Sequence, residues 1–216
     1  MNKNSLFLPD NVYFIGGSPC SGKSTSAELL SKRFHMTYFK VDESLGRYLS
    51  LAAENGSAAC RRIASMTGDE IWMRTPEVQC DEEFEIYRDI APFVLEDIKA
   101  LGSDRKIIAE GAAYIPAIAF ETGAEKSKYM ALVPEREFQF SRYIRRPWVG
   151  IVLKDCTDKQ AAFRNWMERD ALFAEVVLDD CRKYGYFSMV NDGSRSPAEI
   201  AEDIARHFGL AEKTEP

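Results

Sequence analysis

Short apolar runs alternate with amphipathic stretches along the chain, and this alternation predicts strands that alternate with helices. Five apolar runs that end abruptly predict strands buried on both faces, at residues 12–15, 36–41, 107–109, 129–133 and 187–190. Apolar residues at three- and four-residue steps predict helices at 24–35, at 158–184 with Gly185 as a stop, and after Ser196-Pro197. The first strand, helix and second strand form a β-α-β unit with a right-handed crossover, so we expect a parallel sheet.

Two longer segments lie between the predicted strands. Residues 44–102 carry helical patterns and no strand pattern, which predicts a helical insertion. Residues 135–146 predict a basic helix, and residues 147–157, with a proline and a glycine, predict a loop that acts as a hinge. We call residues 135–157 the lid region. We expect one domain over residues 1–216 that contains both segments, with a frayed tail after Leu210.

The composition excludes several classes of protein. The chain has 216 residues, of which 45% are hydrophobic and 29% charged, as in packed globular proteins. Its net charge of −6 argues against a protein that binds nucleic acid. Five irregularly spaced cysteines and two isolated histidines indicate no disulfide framework, zinc site or hydrolytic triad. Because no apolar run could span a membrane and residues 1–5 lack a secretory core, we expect a soluble, cytoplasmic protein without a membrane partner.

The strongest motif lies between the first strand and the first helix. Residues 17–24 read GSPCSGKS and match the phosphate-binding P-loop, or Walker A motif, at every required position. Glycines let successive backbone N–H groups point into one concavity, and the following helix adds the positive end of its dipole. The Lys23 ammonium would reach the β- and γ-phosphates, while the Ser24 hydroxyl would bind Mg²⁺. The residues predicted to hold the nucleotide are Gly17, Ser18, Cys20, Ser21, Gly22, Lys23, Ser24 and Thr25, the last of which either touches the α-phosphate or only begins the helix.

Two other classes of P-loop protein lack their signatures in this chain. None of the 13 glycines has an aspartate three residues before it, and Asn-Lys-x-Asp is missing, so the switch motifs of GTPases are absent. The third strand ends in Glu110 followed by Gly111, whereas large mechanical ATPases have Asp-Glu at this place. A nucleotide-binding protein of another class is therefore favoured.

The arrangement resembles the nucleoside and nucleotide kinase branch of the P-loop proteins, which includes adenylate, cytidylate, shikimate and gluconate kinases and antibiotic phosphotransferases. The resemblance rests on the P-loop, on Asp42 after the second strand, on the arginine-rich lid region and on residues 191–193 after the fifth strand. It implies a three-layer α/β/α fold with a five-stranded parallel sheet of order 2-3-1-4-5. It also implies that the insertion binds the acceptor and that the lid region closes over ATP.

Two carboxylates follow the second and third strands, at the sheet edge where open α/β folds bind ligands. In related kinases that phosphorylate hydroxyls, an aspartate at the place of Asp42 orients or deprotonates the acceptor, which predicts Asp42 as the general base. A turn residue that caps the next helix is the alternative. Glu110 is predicted to hold Mg²⁺ through a water molecule or to bind substrate, with a helix-initiating carboxylate as the alternative. Shikimate kinases have Asp-x-Asp here, whereas this chain has Asp42-Glu43-Ser44, which argues against shikimate itself.

Cations are concentrated in the lid region. Arg136, Arg142, Arg145 and Arg146 lie within a short stretch whose only counter-charge is Glu137. If the stretch is helical, Arg142 shares a face with Arg145 and Arg146, and that face would close over ATP. We predict Arg142 and Arg146 as catalytic residues that stabilise the transferring phosphoryl group and Arg145 as a nucleotide contact, with a solvated helix face as the alternative.

Two further groups of residues are candidates for ligand contacts. Asn191 and Asp192 resemble the adenine-side loop of the family, although an ordinary turn explains them equally well. Arginines and aromatic residues of the insertion would suit a phosphorylated acceptor or a stacked base: Arg47, Arg61, Arg62, Arg74, Arg88, Trp72 and Tyr87.

These observations predict a kinase that uses ATP and Mg²⁺ as cofactors and transfers the γ-phosphoryl group to a hydroxyl of a small-molecule metabolite. A nucleoside monophosphate kinase is the alternative, because the insertion carries arginines. A nucleotide-sensing protein without efficient transfer is the alternative from another class. The identity of the acceptor, the preference for ATP or GTP, and the choice between a monomer and a homodimer stay open.

Overall fold

The computed structural model describes residues 9–210, so the predictions for residues 1–5 and for the tail after Leu210 lie outside it. The strands are β1 (Val12–Gly16), β2 (Thr37–Lys40), β3 (Ile107–Glu110), β4 (Tyr129–Pro134) and β5 (Phe187–Asn191). The helices are α1 (Lys23–Phe34), α2 (Leu45–Glu54), α3 (Ala58–Ser65), α4 (Gly68–Trp72), α5 (Pro76–Ala100), α6 (Pro116–Glu121), α7 (Arg136–Tyr143), α8 (Pro147–Val152), α9 (Lys159–Tyr184) and α10 (Pro197–His207).

The five strands form one parallel sheet in the order β2-β3-β1-β4-β5, which confirms the predicted order. β1 lies in the middle, and its register places Ile15 beside both Glu110 of β3 and Met130 of β4. Because the strands are parallel, the residues that follow them meet at one edge of the sheet. This edge carries the P-loop after β1, Asp42 after β2 and Glu110 at the end of β3.

Helices cover both faces of the sheet, as the predicted three-layer fold requires. Alternate residues of β1 point to opposite layers, because side chains alternate across a strand. Val12 and Phe14 join a core with α5 and α9, whereas Tyr13 and Ile15 join a second core with α1 and α10. Strands buried on both faces therefore appear in the sequence as continuous apolar runs.

The segment between β2 and β3 is helical, as predicted. It begins with a short 3-10 helix at Val41–Ser44 and continues through α2, α3, α4 and α5. α4 begins with a capping box between Thr67 and Glu70, and α5 begins with a proline at its first turn. Helices α2 and α5 pack against each other, and α5 packs along α9.

Two sequence predictions were wrong in detail. β2 is half-buried rather than buried, because it lies at the edge of the sheet and pairs only with β3. The predicted loop at residues 147–157 contains α8, which Pro147 begins at its first helical position, where a missing N–H costs nothing.

The long helix α9 agrees with its prediction: the Asp158 side chain caps its start, and Gly185 ends it in the left-handed conformation at φ 71°. Within residues 9–210, no helix is both long and apolar enough to cross a bilayer.

Candidate active site

The P-loop wraps the space between β1 and α1, and two of its glycines are required by the backbone. Gly17 has φ 112° and Gly22 has φ 100°, both in the region that favours glycine. A Cβ on Gly17 would lie only 2.1 Å from the carbonyl oxygen of Leu132 in β4, so the loop could not approach the sheet with any other residue there. Cys20, between them, also adopts a positive φ of 62°. The loop therefore has the curled backbone that the motif predicts.

Lys23 is drawn into the loop that precedes it. Its ammonium donates to the carbonyl oxygen of Ser18 at 2.6 Å and lies 3.4 Å from the Ser21 hydroxyl, and the residue is only 7% exposed. Burial lowers the pKa of Lys23 below its ordinary value, while the carboxylates of Glu110 and Asp42 oppose that shift. The ammonium thus stands at the centre of the loop, between the backbone concavity and two carboxylates.

The two predicted carboxylates differ in exposure. Glu110 ends β3 and is 1% exposed, whereas Asp42 lies on the 3-10 helix after β2 and is exposed. Asp42 approaches the chain directly after Glu110, because its Oδ1 would lie 3.8 Å from a Cβ placed on Gly111. A buried carboxylate and a solvent-facing one therefore flank Lys23 on the same side. Only the solvent-facing one is open to an incoming molecule.

Tyr38 is a site residue that the sequence analysis missed. Its hydroxyl donates to Glu110 Oε1 at 2.9 Å, and the Ser24 side chain lies near it. Burial raises the pKa of Tyr38 above its ordinary value, and Glu110 raises it further, so the phenol stays protonated. Tyr38 pairs with Ile108 in the sheet, two residues before Glu110. The sequence did hold a signal for this contact. The implied sheet order sets β2 next to β3, so a polar side chain of β2 could have been predicted to lie beside Glu110.

The lid region is attached to the P-loop through Gln139 of α7, a second residue the sequence analysis missed. Its amide donates to the carbonyl oxygen of Pro19 at 3.0 Å and lies 3.4 Å from both Ser18 Oγ and Asp170 Oδ2. Ser18 Oγ in turn donates to the backbone oxygen of Asp170 at 3.2 Å. All these groups are buried or half-buried, so P-loop, lid region and α9 share one hydrogen-bond network.

Arg142, Arg145 and Arg146 do not share one helix face, which corrects the sequence prediction. α7 ends at Tyr143, so Arg145 and Arg146 lie beyond the helix that carries Arg142. Arg146 lies near the Cys20 side chain of the P-loop, and its charge opposes the rise that burial causes in the pKa of the thiol. Arg142 stacks over Phe138, with 4.7 Å between Cζ and the ring centroid, and Arg145 is exposed.

Arg136 forms an exposed ion pair with Glu168 of α9. The Arg136 guanidinium is therefore paired with a carboxylate at the protein surface and is not directed at the P-loop. Among the lid arginines in the described structure, Arg146 is the one whose charge acts on the Cys20 thiol of the P-loop.

Asn191 supports the P-loop from β5. Its Nδ2 donates to the backbone oxygen of Ser21 at 2.8 Å, and its Oδ1 accepts from the backbone N–H of Gly193 at 3.0 Å. Asp192 is exposed, and its side chain accepts from Ser194, as in an ordinary Asx turn. Asn191 therefore holds the loop that the motif forms, while a contact of either residue with adenine stays a prediction.

A buried charged cluster lies where α5 and α9 pack beside the site. Arg169 pairs with Glu83, and its Nε lies 2.7 Å from Asp170 Oδ1 at an angle that makes no hydrogen bond. The Tyr87 hydroxyl donates to Glu83 Oε1 at 2.7 Å. Burial raises the pKa of Asp170, although Arg169 opposes that rise. We call Glu83, Tyr87, Arg169 and Asp170 the α5–α9 cluster.

Most insertion arginines are occupied by partners within the protein. Arg62 and Arg74 each contact Glu82 at 2.5 Å, and Arg47 pairs with Asp97. Arg61 donates to the backbone oxygens of Ala53 and Gly56 near the end of α2, while Arg88 is exposed. Trp72 stacks on Trp166 at 4.5 Å between ring centroids. The structure therefore does not gather these arginines around one ligand space.

The chain was compared with family models, curated proteins and solved structures. No family model and no curated protein matches the chain. Among solved structures, a Chloroflexus aurantiacus protein described as a "putative kinase" matches at 13% identity and a TM-score of 0.43, over 91% of this chain and 97% of that one. Shikimate kinase from Acinetobacter baumannii, in complex with shikimate, matches at 16% identity and a TM-score of 0.42, over 99% of this chain and 100% of that one. These scores are too low to say anything about activity.

The sheet order and the P-loop decide the fold. The chain has a three-layer α/β/α fold with a P-loop after the central strand of a parallel sheet of order 2-3-1-4-5. In that fold, the P-loop after the central strand and the carboxylates after the two strands beside it face one ligand space. Lys23, Asp42 and Glu110 lie at this sheet edge and Arg146 acts on Cys20 of the P-loop, whereas Arg136 pairs with Glu168 and Arg142 stacks over Phe138.

Ser24 and Glu110 fit the place of a magnesium ion that is bound together with nucleotide phosphates. The described residues contain no group of three acidic, cysteine or histidine side chains that could hold a metal by themselves. Mg²⁺ in nucleotide sites usually takes one or two protein oxygens and completes its shell with phosphates and water. The Ser24 hydroxyl and the Glu110 carboxylate, which accepts from Tyr38, supply oxygens of that kind.

Proposed function

We propose that this protein is a kinase that transfers the γ-phosphoryl group of Mg·ATP to a hydroxyl of a small-molecule acceptor. The observation that carries the proposal is the position of Lys23, buried in the curled P-loop with Asp42 and Glu110 beside it. Backbone amides and the ammonium would hold the triphosphate. Mg²⁺, held by Ser24 and through water by Glu110, would neutralise charge on the β- and γ-phosphates.

Asp42 is the proposed general base. Its carboxylate is exposed at the rim of the site, while the more buried Glu110 is held by Tyr38. An acceptor hydroxyl placed between Asp42 and the γ-phosphate would lose its proton to Asp42 as it attacks phosphorus in line, and ADP would leave. Arg146, next to Cys20, is the lid arginine proposed to stabilise the charge that develops on the transferring group. Arg142 and Arg145 would join it only if the lid region moves.

The nucleoside monophosphate alternative depends on arginines that are free to hold the acceptor phosphate. Arg47, Arg62 and Arg74 are instead paired with carboxylates of the insertion itself. A phosphate acceptor is also already ionised and needs no base such as Asp42. The hydroxyl acceptor therefore agrees better with the geometry.

The proposal is tested with labelled ATP and pools of small hydroxyl compounds, with Lys23→Ala as the background. Label that passes from the γ-position into an acceptor in the wild type, and not in the variant, supports a kinase. Slow phosphate release that no pool accelerates would instead support a nucleotide-sensing protein. Calorimetry with Mg·ATP, run first, decides whether the nucleotide binds at all.

A further inference from the structure

Gln139 of α7 holds the peptide group between Pro19 and Cys20 from outside the P-loop. The residue is only 2% exposed, and its Nε2 donates to the carbonyl oxygen of Pro19 at 3.0 Å. No peptide bond of the described residues is cis. Because the C=O and N–H groups of a trans peptide point in opposite directions, the Cys20 N–H points away from Gln139. A side chain of the lid region therefore sets the orientation of this N–H.

The Cys20 N–H is the first donor that the loop offers after its proline, since Pro19 has no N–H. Within residues 9–210, the backbone N–H groups of Cys20 and of the next two residues donate to no protein acceptor. Ser21, in the middle of these three, is fully buried. Because buried backbone donors are nearly always paired, three successive donors of this kind are left for an anion.

The backbone of Cys20 needs support from its surroundings. Its φ of 62° lies in the left-handed region, where a residue that carries a Cβ is strained. Strain of this kind persists only where the surrounding structure holds the residue in place. The hydrogen bond from Gln139 to the carbonyl oxygen directly before Cys20 is a contact that does so.

The Gln139 amide is itself oriented by α9. Its Nε2 lies 3.4 Å from Oδ2 of the fully buried Asp170 and 3.0 Å from the Pro19 oxygen, so the two N–H bonds of the amide have an acceptor each. If the amide were flipped, its oxygen would face two other oxygens. Asp170 also accepts from Ser18 Oγ through its backbone oxygen at 3.2 Å. The amide is therefore kept with its donors toward the loop.

We propose that Gln139 is a positioning residue for the nucleotide phosphates. It holds Cys20 in its strained conformation, so that the Cys20 N–H points into the concavity of the P-loop. The inference rests on the proposed nucleotide site and adds a residue that acts on the phosphates without touching them. Because Gln139 belongs to α7, where the lid region begins, phosphate binding by the P-loop depends on the position of the lid region.

Calorimetry with Mg·ADP compares wild type, Gln139→Met and Gln79→Met. Gln79 is the matched control, because it is 4% exposed and its amide donates to two backbone oxygens of the insertion, at 3.3 and 2.8 Å. We expect an affinity about tenfold below wild type in Gln139→Met and within about twofold of wild type in Gln79→Met. Equal losses of affinity in the two variants would overturn the proposal. Gln139→Asn, whose amide is one methylene too short to reach Pro19, is used in the same way if Gln139→Met does not fold.

The variant Cys20→Gly separates positioning from a general effect on the fold. Glycine adopts a positive φ without strain, so the loop of this variant should need Gln139 less. When Gln139→Met is added to Cys20→Gly, we expect the affinity for Mg·ADP to fall by no more than about threefold. A loss as large as in the wild-type background would show that Gln139 does not act through Cys20, and would overturn the proposal.

The Cys20 N–H can also be observed directly by nuclear magnetic resonance. The chain has five cysteines, so labelling with ¹⁵N-cysteine gives five amide signals, and the signal that Cys20→Gly lacks is that of Cys20. Saturating Mg·ADP should shift this signal in wild type and much less in Gln139→Met. An equal shift in both proteins, or no shift in a wild type that binds Mg·ADP, would overturn the proposal.

These measurements separate the role of Gln139 from the proposed kinase function, because none of them needs an acceptor. A wild type that does not bind Mg·ADP contradicts both. A wild type that binds Mg·ADP but transfers the γ-phosphoryl group of ATP to no acceptor contradicts only the kinase function.

Discussion

Two groups of charged side chains in this protein each combine cations with carboxylates but are arranged in opposite ways. Around the P-loop, Lys23 bonds to a backbone carbonyl oxygen, so that its charge and those of Asp42 and Glu110 remain directed at a common space. In the insertion, Arg62 pairs with Glu82 and Glu85 and Arg74 pairs with Glu82, so two carboxylates match the charge of two arginines. The difference teaches that a cluster of arginines marks a binding site only where the fold leaves their charge unmatched.

The largest effect is expected from Lys23→Ala, which removes the charge at the centre of the first group. Transfer of the γ-phosphoryl group should fall by about 10³-fold or more, because the ammonium would stabilise charge that develops on the phosphates. The rate is measured with labelled ATP and the acceptor pool. Lys32→Ala, on the exposed last turn of the same helix, is the control and should leave the rate unchanged. Equal losses in both variants would show that Lys23 has no special role.

Asp42→Asn is expected to have the next largest effect. Turnover should fall by about 10²-fold or more, because the amide cannot take the proton of the acceptor hydroxyl. The dissociation constant for Mg·ATP, measured by calorimetry, should stay within about twofold of wild type, since Asp42 does not touch the nucleotide in the proposed mechanism.

Glu43→Gln provides the matched control for Asp42, because it neutralises the next, equally exposed residue of the same 3-10 helix. If Asp42→Asn and Glu43→Gln behave alike, Asp42 is only a residue that begins a helix, and another base must be sought.

Glu82→Gln tests the charged group of the insertion, in which Glu82 pairs with Arg62 and Arg74. Here we expect a loss of stability and not of function. Burial alone would raise the pKa of Glu82, but hydrogen bonds from Arg74 and Arg62 lower it below its ordinary value of 4.5. Its ionised form therefore stabilises the fold above about pH 4.5, and this contribution is lost as the pH falls through the lower, folded-state pKa.

The free energy of unfolding of Glu82→Gln should be about 2 kcal/mol below wild type at pH 7, and this gap should shrink as the pH falls below 4.5. Urea unfolding at several pH values measures both effects. Phosphoryl transfer at pH 7 should change little. A large loss of transfer with unchanged stability would mean that these arginines belong to the acceptor site after all.

The smallest effect is expected from Tyr38→Phe, which removes the hydroxyl that donates to Glu110 beside Ser24. The Mg²⁺ concentration that gives half-maximal turnover should rise about tenfold, as for other residues that orient metal ligands. Tyr184→Phe is the control, because Tyr184 ends α9 just before β5 begins and so lies at the opposite edge of the sheet. An unchanged Mg²⁺ requirement in Tyr38→Phe would show that Tyr38 and Glu110 do not bind or orient the metal.

The sequence by itself determined the sheet, most helices, the curled P-loop and the carboxylates at its edge. These features depend on local patterns: apolar runs for buried strands, and glycines wherever the backbone must adopt a positive φ, as at Gly17. The strand order came from a resemblance, and the sheet then confirmed it.

Only the tertiary structure decided which polar side chains meet. Tyr38 reaches Glu110, Gln139 reaches the P-loop, and Glu83 pairs with Arg169 across 86 residues of chain. The same structure separated the lid arginines and paired those of the insertion with carboxylates. The physical reason is that a charge can be matched by any residue that packing brings near it, and sequence spacing does not record that neighbour.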